Sequence, residues 1–151
     1  MIKLTIPGQP IPLARPRFFG GKVVDSQVAV KNGIRKLICS ELVKIGVMSS
    51  AGMPFKLLET YCNCAIHVDL TFGMATAKNL SKTRKNSLLG DSSHNCKPDL
   101  DNLIKFILDC GNKLLWSDDC MISEIHARKI WCDSPHTEIT MQHIPVEFNT
   151  T

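Results

Sequence analysis

Between Lys97 and Lys129 the chain reads KPDLDNLIKFILDCGNKLLWSDDCMISEIHARK, and this stretch holds the residue types that phosphodiester chemistry needs. Asp99 and Asp101 stand at the mouth of a predicted helix. Lys105 follows one turn further in, and the pair Asp118-Asp119 comes about twenty residues after the first acid. Hydrolysing a phosphodiester requires an activated water, shielding of the phosphate charge and stabilisation of the leaving alkoxide; one or two Mg²⁺ ions can supply all three. Magnesium takes oxygen ligands, usually one or two carboxylates completed by water and substrate phosphate. Asp99 and Asp101 offer two such carboxylates on a backbone that packing can fix. The pair Asp118-Asp119, at the start of a predicted strand, can deliver a third. Neighbouring strand residues point to opposite faces, so only one member of that pair reaches the metal. Lys105, four residues after Asp101, can meet the scissile phosphate or the developing charge. Asp109, a further four residues on, can hold it in place.

The same residues have ordinary structural uses. Asp99 can be an N-cap and Asp101 a first-turn acid favoured by the helix dipole. Lys105 and Asp109 can be a solvated pair, and Asp118-Asp119 can shape a turn. Spacing alone leaves both uses open. His67 and His126 read as strand residues with local partners rather than catalysts, and Trp116 and Trp131 read as core.

The elements that must position these groups are legible in outline. Ile2–Ile6 alternates as a short strand. Pro7, Pro10, Pro12 and Pro16 then forbid a helix, so the segment runs on as an extended arm. Residues 18–24 form a small hairpin around Gly20-Gly21. From Ser26 as N-cap, Val30, Ile34, Leu37, Ile38, Leu42 and Ile45 recur at helical spacing until Gly46. Tyr61–Phe72 has the aromatic and β-branched content of a strand, and a short helix is expected near Ala77–Lys85. Pro98 biases Lys97 away from helix, so the acid-bearing helix starts at or just after Asp99. Leu100, Leu103, Ile104, Ile107 and Leu114 make its apolar stripe. Cys120–Ile130 and Thr137–Ile144 are two closing strands with a turn between them. The expectation is an α+β (mixed α/β) fold: one domain over residues 1–151, a mixed sheet against two main helices, with antiparallel pairing at the C-terminal end.

The bulk numbers fit such a domain. At 151 residues with 44% hydrophobic and 21% charged residues, the composition is that of an ordinary globular chain. No apolar run approaches the roughly 20 residues that cross a bilayer, and the N-terminus lacks a signal peptide's apolar core. No membrane association is therefore expected, and the default compartment is cytoplasmic. Seven cysteines, an odd number scattered through apolar stretches, read as reduced thiols. Cys62, Cys64, His94, Cys96, Cys132 and His136 do not show the paired spacing of a structural zinc site. Charge is unevenly spread: residues 1–98 carry 14 Lys/Arg against 5 Asp/Glu, and residues 99–151 carry 4 against 9. A basic portion joined to an acidic one suits a polyanion binder whose metal-binding carboxylates lie in one place.

The run K-P-D-L-D-N-L-x-K, followed by L-W-x-D-D and a strand ending in Lys129, closely resembles the RusA family of Holliday-junction resolvases. The N-terminal P-G-x-P-x-P-x-x-R-P-R-F segment is similar to that of RusA-like proteins from phages and prophages. The likeness spans Pro7 through Lys129. It implies a homodimeric, Mg²⁺-dependent endonuclease (Mn²⁺ being the natural substitute) that resolves four-way DNA junctions by paired nicks in opposed strands during recombination and repair. Carried onto matching positions, it implies Asp99, Asp101 and Asp119 as metal ligands and Lys105 as the lysine needed for cleavage. Arg15 and Arg17 on the arm, Lys78, Lys82, Arg84 and Lys85 on the central loop, and Lys97 are the candidate phosphate contacts. A looser flap or fork nuclease is the alternative among enzymes. A protein that binds junctions without cutting is the alternative outside them.

Overall fold

Five apolar residues at alternate positions, Ile66, Val68, Leu70, Phe72 and Met74, organise the molecule. The structure, a computed structural model, describes residues 1–15, 17–48, 64–76, 81–89 and 92–145, without the side chains of residues 17–19, 23 and 145. The five lie in strand β4 (Cys64–Ala75) and all are buried. A period of two sends them to one face of the sheet and sends His67, Asp69 and Thr71 to the other.

The sheet has the order β1-β6-β4-β5, with β1 at Ile2–Pro7, β5 at Ile122–Cys132 and β6 at His136–Pro145. β6 pairs antiparallel with both β1 and β4, whereas β4 and β5 run parallel. The fold is α+β with a mixed sheet, as expected. The antiparallel pairing at the C-terminal end is present, but β5 and β6, adjacent in sequence, are not neighbours: β4 lies between them. The short link between them therefore crosses the end of β4, a step of roughly 10 Å between alternate strands, within reach of three or four extended residues.

Two helices cover the inner face. α1 (Val28–Lys44) begins at Gln27 rather than Ser26, and the side chain of Gln27 makes no cap bond to its own helix. Asp25 accepts from the Gln27 backbone N–H at 2.8 Å, while the Gln27 amide reaches back to Pro12 O and accepts from Ala14 N. The buried stripe of α1 is narrower than its apolar content, with Ile38 and Leu42 inside while Val30, Leu37 and Ile45 are exposed. Gly46 ends it at φ +72°, a conformation in which a side chain is strained.

The second covering helix, labelled α3 (Leu100–Gly111), buries Leu103, Phe106, Ile107 and Cys110. Lys31 joins Asp109 at 2.8 Å and Asp25 at 3.0 Å, and Arg35 donates to Cys110 O and Asn112 O at 2.9 and 2.7 Å. α1 thus caps the carbonyl end of α3 and locks the two helices together. At Gly111 a Cβ would collide with the ring of Trp116, itself 1% exposed, so this turn admits only glycine. The remaining pieces are the hairpin β2–β3 (Arg17–Phe19 and Lys22–Val24) and helix α2 (Lys82–Leu88), capped by Ser81. The expected helix near Ala77–Lys85 thus appears some residues later, and residues 77–80 lie outside the described set, as do residues 61–63 of the expected Tyr61–Phe72 strand.

Candidate metal and nucleic-acid site

Asp99 occupies the N-cap of α3, yet its side chain makes no cap hydrogen bond. Its two carboxylate oxygens instead accept from Lys97 Nζ, each at 2.6 Å. The Lys97 ammonium, and more weakly Lys129, holds the Asp99 carboxyl below its ordinary range. Asp99 is therefore ionised at any working pH. Asp101 stands exposed in the first turn and makes no hydrogen bond or ion pair to the described residues, leaving its carboxylate open to solvent. Lys105, also exposed, lies one turn on. Asp109 does not hold Lys105: it pairs with Lys31 of α1.

Two contacts fix this helix mouth, and neither is apparent from the motif. Lys129 shares the inner face with its register partner Phe72, and its ammonium donates to Cys96 O at 2.8 Å and Pro98 O at 2.6 Å. The edge strand thereby clamps the segment that leads into Asp99. The proline-rich arm is tied on from the other side, where Leu13 N donates to Asn102 O at 2.9 Å. Arg15, two residues along, is exposed.

Asp118 and Asp119 have different employments. Asp118 caps the 3-10 turn Asp119–Met121, accepting from Cys120 N at 3.0 Å, and this bond lowers its carboxyl below the ordinary range. Asp119 is the first residue of the turn and is exposed. Asp99, Asp101 and Asp119 do not form a tight group of ligand atoms within this chain; among the described residues that distinction belongs to His67, Asp69 and His126, on the other face of the sheet.

The remaining basic candidates are partly visible. Lys82 and Arg84 are exposed on α2, Lys85 is half-buried and engaged, and Lys97 is exposed but committed to Asp99. Arg17 is placed in β2 by its backbone alone, and Lys78 lies outside the described residues. Trp116 is core as expected, whereas Trp131 is half-buried and stacks against His94, ring centroids 4.1 Å apart. No helix among the described residues is long and apolar enough to cross a membrane.

The profile of the family described as Endodeoxyribonuclease RusA matches residues 7–142. The chain belongs to the RusA endodeoxyribonuclease family. The match takes in the arm, both covering helices, the acid-bearing segment and strands β4 and β5. This RusA-family chain is also similar to an uncharacterized protein, YqaN, of Bacillus subtilis (strain 168), at 23% identity over 146 residues, covering 95% of this chain and 96% of the relative.

Membership supplies the chemistry that the donor set fits. Two exposed carboxylates, one of them an N-cap that leaves its helix uncapped, are hard oxygen ligands of the kind magnesium takes.

Proposed function

We propose that this RusA-family endonuclease is a Mg²⁺-dependent Holliday-junction resolvase that acts as a homodimer and nicks two opposed strands. The observation that carries the reading is Asp99: it sits where a cap is expected and turns its carboxylate away from the helix to meet a cation. Asp99 and Asp101 are the primary metal ligands. Asp119 is the third, favoured over Asp118 because capping the 3-10 turn already occupies Asp118. Three carboxylates repel one another, so a divalent cation is what draws them together. Magnesium bound there supplies the activated water and the shielding of phosphate charge. Manganese, with the same preference for oxygen donors, can substitute.

The chain's own residues do the rest. Lys105 stabilises charge on the scissile phosphate. Lys129 keeps the Asp99 loop in register with the sheet. Arg15, Arg17, Lys78, Lys82, Arg84, Lys85 and Lys97 contact phosphates, which hold a shape-defined substrate without reading its sequence. A four-way junction has two-fold symmetry, so a C2 dimer presents two equivalent sites to opposed strands.

Incubating labelled junction with the protein, with and without Mg²⁺, tests the reading. Paired symmetric nicks that need Mg²⁺ are expected. Scattered cuts at flaps and forks would make it a looser nuclease, and a shifted but intact junction would make it a binding protein only. Asp101→Asn should abolish cutting and leave junction binding intact, since it removes a metal ligand without removing a basic contact. Near-normal cleavage by that variant would overturn the site.

A further inference from the structure

The outer face of the sheet carries a cluster that the nuclease chemistry does not use. His67 and Asp69 are alternate residues of β4, and the register sets Glu124 opposite His67 and His126 opposite Asp69 on β5. Registered residues and alternate residues share a face, so all four side chains meet there. His67 Nε2 lies 3.0 Å from Asp69 Oδ2, and His126 Nδ1 lies 3.5 Å from Asp69 Oδ1. The imidazole rings of His67 and His126 meet edge to face, centroids 4.9 Å apart.

We infer that His67, Asp69 and His126 form a binding site for one borderline divalent ion of the zinc class, with Glu124 orienting His67. One donor atom from each of the three residues lies within 4.8 Å of the other two. A tetrahedral ion with bonds of 2.0–2.2 Å holds its ligand atoms roughly 3.3–3.6 Å apart, so a small rotation of the exposed His126 side chain toward the half-buried His67 and Asp69 closes the set. Two imidazoles and a carboxylate select a zinc-class ion over magnesium, which prefers oxygen alone.

Glu124 supplies the second observation. Its Oε2 lies 3.0 Å from His67 Nδ1, the nitrogen turned away from Asp69. A carboxylate on the distal nitrogen fixes the tautomer, turns the Nε2 lone pair to the metal and raises its basicity, as around many zinc-bound histidines. A depression of about 290 Å³, lined by Asp69, Thr71, His126 and Arg128, opens the fourth position to water. The ion would tie the edge strand β5 to β4 through side chains, on the side of the sheet away from α3.

Cobalt titration of the full chain tests this, with thiols kept reduced and Mg²⁺ in excess to fill sites built of oxygen. The expected result is one equivalent of Co²⁺ giving visible bands of nitrogen and oxygen ligation with no thiolate charge-transfer band. Zn²⁺ should displace it and raise the thermal midpoint. His126→Ala, at a side chain 76% exposed, should fold normally and lose both effects. Glu124→Gln should weaken uptake about 10-fold or more, while Asp101→Asn should leave it unchanged. Absence of a bound equivalent, its survival in His126→Ala, or a thiolate band would each overturn the inference. His67 would then be an imidazolium bridging two acids.

Discussion

The Lys97 ammonium lies 2.6 Å from both carboxylate oxygens of Asp99, so the chain's own cation occupies the face of Asp99 proposed for a metal ion. On the proposed reading, a divalent ion would have to displace that ammonium before using Asp99. Lys97 would then be released toward the substrate, so that metal binding would present one more positive charge to DNA.

Lys97→Met should therefore ease metal binding while removing a contact to DNA. The Mg²⁺ concentration for half-maximal cleavage should fall several-fold, because a competitor is gone. The salt dependence of junction binding should lose about one unit of slope. A metal requirement that rises or stays put would show that Lys97 does not compete for Asp99.

Asp118→Ala and Asp119→Asn should separate structure from chemistry within one dipeptide. Losing Asp118 removes the bond to Cys120 N, so the thermal midpoint should drop while cutting persists. Losing Asp119 should leave the midpoint close to that of the parent and stop cutting. The reverse pattern in melting curves and junction assays would move the third ligand to Asp118.

Lys129→Met tests the clamp on the helix mouth. Two hydrogen bonds to carbonyl oxygens are lost, at a cost on the order of 1 kcal/mol each. Cleavage should fall at least 10-fold and the Mg²⁺ requirement should rise, with junction affinity little changed. A variant that melts earlier but cuts normally would confine Lys129 to a stabilising role.

Stability should also carry a signature of His67. Glu124, joined by Asp69, raises its pKa against the opposing effect of desolvation. A histidine whose folded pKa is raised contributes stability that is whole below its unfolded value of about 6.5, lost as pH rises through the folded one. His67→Gln should thus cost most in mildly acidic metal-free buffer and least in alkaline buffer. Buried His94, whose pKa is lowered by burial and then by Lys129, works in the opposite sense and withdraws stability as pH falls. Denaturant melts of the parent and of His67→Gln across pH isolate the His67 contribution, and a His67→Gln deficit that grows with pH would refute the assignment.

What could be read in the sequence was local. The strand content of the segment ending at Phe72, the start of α3 after Pro98 and the hairpin at Gly20-Gly21 follow from side-chain chemistry within a few residues of each position; the alternate burial that runs on to Met74 came only with the sheet. The N-cap position of Asp99 and the first-turn position of Asp101 were legible for the same reason. Contacts between distant segments were not: the arm's bond from Leu13 to Asn102, the reach of Lys129 back to Pro98, and the capture of Asp109 by Lys31 depend on how sheet and helices stack. The hidden neighbour relation was the insertion of β4 between β5 and β6, because a short link between two strands ordinarily makes a hairpin. That same insertion sets His126 beside Asp69, a pairing that no spacing along the chain announces.

If Asp99 holds the metal as proposed, position 99 also sets two selective pressures against each other. Asn or Ser there would turn its oxygen onto the free N–H groups at the start of α3 and give a sturdier helix. Screening variants for heat resistance alone should accordingly enrich such replacements. Each survivor would be a tougher molecule that has traded away its nuclease.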